Sequence, residues 1–519
     1  MMNLNTSLRG IALAAALSAS CMAWAQATPD AAPIAPIAPI APIAPIAPHY
    51  GELANLPFPG GYPAAKSVQS LQDEWLFQRA VQTYIWAIPA LNMYAMKEGS
   101  ERQFGAGYNV LPIFKERLDA RTQITTPNSD VIYALGYLDV GKDGPMVIEV
   151  PPGLQGILDD FFQRPICGPK LEGRVMCGDV GLPGPDKGKG GKYLVLPPGY
   201  DGPVPEGYYV YRSRTNGVFV FWRGFFKNPK ALAQPVGVLE QTKIYPLGQQ
   251  ASAKPMQFPD ASGVPVNMLY PTDGSAFDML SRFIDSEYPD PADMEMRGMA
   301  ASLGIVKGQP FKPDERTRKI LDAAARTAAK MARVIAVAPP ANTHAQTWYP
   351  DRQWLNVFPG NAEFTSPTFN YIDIRTGFFT YAYSASPGMA VNMVNVGAKY
   401  PVAFKDAQGR FLMGEHTYKL HLPAGIPAHI FWSVTAYDAW SASGLQNGQA
   451  FPSINTMDEP AKNADGSIDI VFGPKPPADA KNYIRTLPEK GFFVILRLYG
   501  PTQPFFDKTW KPDDVERID

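Results

Sequence analysis

A chain of 519 residues, 45% hydrophobic and 18% charged, is too long for one hydrophobic core and suits two or three domains. A formal net charge of −1 argues against a nucleic-acid partner, which needs a concentrated basic surface, and leaves room for a local basic cleft. With 53 Pro, 45 Gly and 12% aromatics, the composition favours β-sandwich or barrel domains over helical bundles.

Residues 1–25 read as a secretory signal. Arg9 is the positive n-region, Ile11 to Ala19 the short apolar core, and Ala23-Trp24-Ala25 the cleavage site. A lipoprotein reading through Cys21 ranks below it, because no large aliphatic residue stands three places earlier. Nothing later reaches the ~18 apolar residues of a spanning helix. The expected location is periplasmic or secreted, with no transmembrane segment. Ala-Pro-Ile repeats follow from Ala32 to Pro48. Proline at every third residue fits a polyproline II spacer of roughly 50 Å, though a disordered tail is the simpler reading. Of the three cysteines, Cys167 and Cys177 survive signal cleavage and read as one disulfide in an oxidising compartment.

Residues 68–98 carry helical spacing, and Pro89 is expected to kink or break that helix. Strand patterns Val131–Leu138 and Met146–Val150 flank Gly141-Lys-Asp-Gly144, a hairpin signal. Before them, Thr126-Pro127-Asn128-Ser129-Asp130 is a polar corner. Local turn bonding explains it; the functional reading aims Asn128 and Asp130 into a cleft. Arg164, beside Asp159, Asp160 and two phenylalanines, either clamps a ligand carboxylate or forms an internal salt bridge, the commoner case. The run Asp186 to Lys192 lacks the GK[ST] ending and precedes a strand, so it is no phosphate loop. Tyr208 to Phe226 gives two strands around the turn Thr215-Asn216-Gly217, and its Arg212, Arg214 and Arg223 are the densest basic group in this half. Pro313 to Val334 is a clear helix, with Phe277–Phe283 and Met294–Leu303 as shorter ones.

In the C-terminal half, Asn370 to Tyr383 fits strand or helix equally. Ala403 to Leu422 reads as a hairpin turning at Asp406–Gly409. His429–Tyr437, Ser467–Phe472 and Phe492–Leu498 are further strands, and the set suggests a sandwich or jelly roll.

The stretches TPNSDVIYALGYLDV, FFQRPI, DKGKGGKYLVLPPGY and RTNGVFVFWRGF resemble domain-of-unknown-function family 1254. TYKLHLPAGIPAHIFWSVTAYD and GFFVILRLYGPTQPFFDKTW resemble family 1214. The resemblance covers roughly residues 70–515. It implies a mainly β protein with helical segments: an N-terminal immunoglobulin-like β-sandwich, a helical region and a C-terminal jelly-roll sandwich. It implies no established reaction. The expected organisation is signal peptide (1–25), linker (26–66), helix plus sandwich (67–245), helical connection (246–350) and jelly roll (351–519).

Candidate chemistry centres on Gly409–Ser443, which holds His416, His421 and His429. Five-residue spacing puts His416 and His421 on opposite strand faces, so no metal is expected, and no cofactor either. No Gly-x-Ser-x-Gly elbow exists. Acid–base chemistry through Asn128, Asp130, Arg164, His416 and Asp438, with Trp432, Tyr437 and Arg223 binding substrate, fits a lyase or hydrolase acting on a small polar or carbohydrate ligand in an interdomain cleft. Non-catalytic carbohydrate or small-molecule binding is the rival reading. Oligomeric state is not encoded in these features.

Overall fold

The computed structural model describes residues 48–340 and 346–519. The expected signal peptide, the Cys21 alternative and the Ala-Pro-Ile repeats through residue 47 lie outside the described residues. The chain divides into two compact units, residues 1–71 and 72–519. In the first, the short helix Pro48–Ala54 is followed by a turn in which the Ser67 hydroxyl donates to the Pro57 carbonyl at 2.9 Å. All sheets and the candidate site belong to the second. The protein is built mainly on β-sheets, with ten α-helices among the described residues.

Helix α1 (Ala65–Phe104) runs without interruption through Pro89. The expected break does not occur. Ile88, Ala90, Leu91 and Met93 are all buried, so packing outweighs the roughly 3 kcal/mol that an interior proline costs. The Pro89 carbonyl also accepts from Gln163 Nε2 at 2.7 Å.

The first sheet pair contains strands β1 (Ile132–Asp139), β2 (Gln155–Asp160) and β3 (Gly217–Gly224), with β3 between the other two and Asp179–Val180 at the edge. Its partner is a six-stranded sheet including Met146–Val150, Gly191–Leu196 and Tyr209–Arg212. Even-numbered residues of the first sheet (Ile132, Ala134, Val218, Val220, Trp222) pack against Ile148, Tyr193 and Val195 of the second. The hairpin expected at Gly141–Gly144 is therefore corrected. That segment, like the turn Thr215–Gly217, joins strands of opposite sheets, because consecutive strands fold over the shared core instead of pairing side by side. Val140–Asp143 forms one helical turn, capped where the Asp139 carboxylate accepts from Lys142 N at 3.0 Å. Cys167 and Cys177 are joined by a disulfide that clips the edge hairpin Cys167–Leu171/Arg174–Cys177.

A second sheet pair repeats this logic. Strands β4 (Ala428–Asp438) and β5 (Phe492–Pro501) lie antiparallel in one sheet, and Tyr418–Leu422 pairs with Ile468–Gly473 in the other. The expected hairpin from Ala403 to Leu422 is reduced to a single bridge between Lys405 and Phe411. Trp432, Val434, Leu496 and Leu498 fill the core against Leu420, Leu422, Ile470 and Phe472.

Helices occupy the space between. Helix α2 (Glu315–Val337) is capped by Asp314, whose carboxylate accepts from Thr317 N at 2.7 Å, and it buries an alanine stripe from Ala324 to Ala332. The ambiguous segment at 370–383 resolves as helix α3 (Ile372–Tyr381). Among the described residues no helix is long and apolar enough to cross a membrane.

Leu496 is fully buried between the two sheets of the second pair. Leu496→Ala is expected to destabilise the protein by about 2–4 kcal/mol, read as a lower urea midpoint at unchanged slope.

Candidate functional site

Strand alternation decides what the outer faces carry. On β3 the even residues fill the first sheet pair, so Phe219, Phe221 and Arg223 face the helices. On β5 the even residues fill the second pair, so Phe493, Ile495, Arg497 and Tyr499 face the opposite way. Between these odd-numbered faces lies a cavity of about 130 Å³, closed along one side by α3 and the end of α2. Its lining is mostly apolar and aromatic, with Arg223, Arg497 and Asp373 as its charged groups.

The two arginines are the unusual feature. Neither makes an ion pair among the described residues. Arg497 is buried; its Nη1 donates to Thr435 Oγ1 and its Nη2 to the Thr126 carbonyl, both at 3.2 Å, and the guanidinium lies 5.4 Å from the Tyr437 ring centre. Arg223 is less well supplied. It stands 4.9 Å over the Phe221 ring, its Nη2 contacts Met389 Sδ at 3.6 Å, and its Nε has no hydrogen-bond partner. A buried guanidinium without acceptors is costly, and the cost is relieved when an anion arrives.

Tyrosines surround both cations. Tyr133 lies directly across the strand pair from Arg223, and Tyr499 is two residues beyond Arg497 on the same face. Burial pushes the phenols of Tyr133, Tyr383 and Tyr499 above their ordinary value, against the lowering pull of both arginines. These groups are therefore neutral hydrogen-bond donors at neutral pH.

Arg223 and Tyr499 also line a second cavity of about 30 Å³ with Asp179. The buried Asp179 carboxylate accepts from Gly388 N at 2.7 Å. Burial raises its pKa to about 6, although bonds from Ser386 and Gly388 and the charge of Arg223 pull it down.

The polar corner before β1 ties the two sheet pairs together. The Thr126 carbonyl receives Arg497, the Pro127 carbonyl accepts from Tyr437 OH at 2.6 Å, and Asn128 Nδ2 donates to Tyr499 OH at 2.7 Å. Fully buried Asp130 accepts from Arg117, Asn455 and Ser453. Backbone strain gathers here as well. Thr126 (φ 39°) donates its N–H to the carbonyl of Ala442 (φ 59°), and Ser384 (φ 61°) donates to the side chain of Gln163 (φ 59°). Non-glycine residues in the left-handed region persist only where their surroundings hold them, commonly at ligand sites.

The structure does not bring together the five residues singled out for catalysis. Arg164 is held by Asp160 at 2.6 Å and Asp293 at 3.1 Å, an internal salt bridge. His416 faces Asp519 near the C-terminus at 3.4 Å. Asp438 accepts from the backbone of Trp440 and Ser441 and from Lys490 Nζ. Asn128 touches the cavity wall through Tyr499, and Asp130 belongs to the junction. Of the three binding candidates, Arg223 lines the cavity, Tyr437 packs beside Arg497, and Trp432 is in the core of the second sheet pair. His421 pairs with Asp469 at 2.6 Å, and His429 is exposed. Among the described residues no three His, Cys, Asp or Glu side chains are grouped to hold a metal ion. Sequence reasoning missed Arg497, Tyr133, Tyr499 and Asp373. The signal was present for the arginines: GVFVFWRGFF and GFFVILRLYG each place one charge in an otherwise apolar strand.

Residues 108–246 match the family model described as Protein of unknown function (DUF1254), and residues 397–503 match Protein of unknown function (DUF1214). The two matches lie in that N- to C-terminal order, with Arg223 within the first and Arg497 within the second. It is 42% identical over 59 residues to the uncharacterized protein YidR of Escherichia coli (strain K12), a match spanning 11% of this chain and 14% of that relative. The crystal structure of the VPA0106 protein from Vibrio parahaemolyticus is similar in fold, with a TM-score of 0.50 and 18% identity over 86% of this chain and all of that one. A crystal structure of an uncharacterized protein from Burkholderia cenocepacia aligns with a TM-score of 0.39 and 12% identity, covering 88% and 99% of the two chains.

Because the folded pKa of Asp179 is raised, the native state binds a proton that the unfolded chain has lost between pH ~4 and ~6. Stability should fall as pH rises through that window, by about 3 kcal/mol from this group. Asp179→Asn should flatten the decline without removing it, since burial also raises Glu287, to about 7. Denaturant midpoints measured from pH 4 to pH 8 provide the check.

Proposed function

We propose that this protein binds a small organic anion, a carboxylate with an apolar body, in the cavity between its two β regions. The observation that carries the reading is Arg223: a guanidinium with an unpartnered Nε and no ion pair among the described residues, facing a cavity walled by Tyr133, Phe221 and Tyr499. A carboxylate would supply the missing acceptors, and the tyrosine hydroxyls would add donors. The aromatic and aliphatic lining suits an apolar body better than a neutral polyol, whose hydroxyls would lose water without enough partners. The disulfide and the leader-like N-terminus support a periplasmic or secreted setting for this binding. The two paired-sheet assemblies are compatible with the immunoglobulin-like and jelly-roll classes that the family resemblance implies.

A second reading, acid–base turnover of the bound anion, is favoured by one observation: Asn128 holds the Tyr499 hydroxyl beside the arginine-lined cavity. A neutral phenol can act only as a proton donor, so such chemistry would protonate a leaving group, and the burial that raises its pKa makes it a weak one. Binding without turnover needs no further group and is the primary reading.

Arg223→Met separates a ligand role from a structural one. Replacing an unpaired buried cation by an apolar chain of similar length should leave the thermal midpoint unchanged or raised. It should weaken binding of aromatic and medium-chain carboxylates at least about tenfold by isothermal titration calorimetry. Equal affinity in the variant, or a large drop in thermal midpoint, would refute the assignment. Product analysis of the same mixtures reports any turnover.

A further inference from the structure

We infer that the preferred ligand of this cavity is a zwitterion, with its cationic end at Asp373 and its anionic end at Arg223 and Arg497. This rests on the anion-binding reading and names its ligand class.

The cavity has a charged group of opposite sign away from its arginines. Asp373, Gly377 and Tyr381, with Ile374 and Phe378 between them, form one stripe of α3 along the cavity. The spacing i, i+4, i+8 runs along a single helix face. Eight residues at 1.5 Å each separate Asp373 from Tyr381 by about 12 Å along the helix axis. The far end of this stripe is the arginine end. Tyr381 packs on Phe493, and Tyr383, two residues on, lies 5.5 Å from Phe221, the residue that Arg223 covers. The near end is the open one: Asp373 is half-buried and its neighbour Ile372 is 57% exposed.

Asp373 has no hydrogen bond or ion pair from its carboxylate to any described residue, whereas several other acids of this region are ion-paired. Asp160 has Arg164, Asp130 has Arg117, and Asp438 has Lys490. The lining nearest it in sequence and on α2 is Ile374, Ile335 and Ala336, none of which offers a cation. A carboxylate half-withdrawn from water, facing an apolar passage that ends in two guanidiniums, is complementary to an ammonium or similar cation on the same molecule as the carboxylate. Phe378, Phe404 and Ile495 line the stretch between and suit a methylene or aromatic spacer. The class is an elongated amino acid in the broad sense: an amine and a carboxylate separated by an apolar body.

The experiment is calorimetric titration of the full chain with α,ω-aminocarboxylates of increasing methylene number. Monocarboxylates of equal length and the N-acetylated derivatives serve as controls. Aminocarboxylates whose charges stand about 12 Å apart should bind about fivefold more tightly than the matching monocarboxylate. Asp373→Asn should erase that advantage, so that aminocarboxylate and matching monocarboxylate bind the variant with equal affinity. Acetylation of the amine should mimic the variant in the wild-type protein. If aminocarboxylates bind no better than monocarboxylates, or Asp373→Asn leaves the advantage intact, the zwitterion inference fails while anion binding stands. If no carboxylate binds, or Arg223→Met binds them as well as wild type, the anion reading itself fails.

Discussion

Burying a guanidinium without a carboxylate is the constraint that organises this protein's interior. An isolated cation in a low-dielectric setting costs several kcal/mol unless hydrogen bonds and polarizable faces replace water. Arg497 is largely compensated: a carbonyl, a hydroxyl and a tyrosine ring attend it. Arg223 has an aromatic face, a thioether and an unpartnered Nε. Two cations so close in fold position are thus unequal in role. Arg497 holds the junction and contributes field; Arg223 has hydrogen-bonding capacity left over. That inequality is why Arg223 bears the weight of the functional reading.

The same junction explains why the cavity keeps its shape. Residues Thr126 to Asp130 belong to the first β region, yet their partners Tyr437, Asn455, Arg497 and Tyr499 belong to the second. Three of these bonds are buried and the Arg497–Thr126 bond partly so; where a buried bond loses a partner, the unsatisfied polar group costs about 1–3 kcal/mol. The corner therefore fixes Tyr499 and Arg497 relative to Tyr133, which follows on the next strand. Preorganised donors give a ligand more than mobile ones do, because less ordering entropy is lost on binding.

Much of this was legible in the residues, and the failures share one cause. Strand positions, the capped helix after Asp314 and the disulfide pair all follow from local pattern. The turns did not. Gly141–Gly144 and Thr215–Gly217 carry hairpin chemistry, and both connect opposite sheets. Turn residues encode a local reversal, whereas the choice of partner strand is made by long-range burial. Alternation likewise told that one face of β4 is core without telling which; Trp432 went inward and Tyr437 to the junction. The lone arginines of β3 and β5 were visible in the sequence but gained meaning only when the two odd faces met. Asp373 was ambiguous for a further reason: its segment fits strand and helix equally, and although either would put it on one face with Tyr381, only the helix brings the two within about 12 Å.

The width of the cavity is set by small residues, not by the aromatic ones that dominate its lining. Gly377 on α3 sits against Ala336 on α2, where an added Cβ would come within 3.2 Å of the Ala336 backbone. That close approach lets α3 lie deep against α2. The alanine stripe Ala324–Ala332 extends the same flat surface towards the helix N-terminus. From composition alone the alanines of α2 read as helix propensity. In the fold they also act as spacing: they hold α3 at the distance where its Asp373–Tyr381 stripe forms a wall without filling the space. A bulkier α2 would push α3 into the cavity or away from it, and either shift would separate Asp373 from the passage that leads to Arg223. The chemistry at the arginines and the packing at Gly377 are therefore one design problem, solved along a single helix.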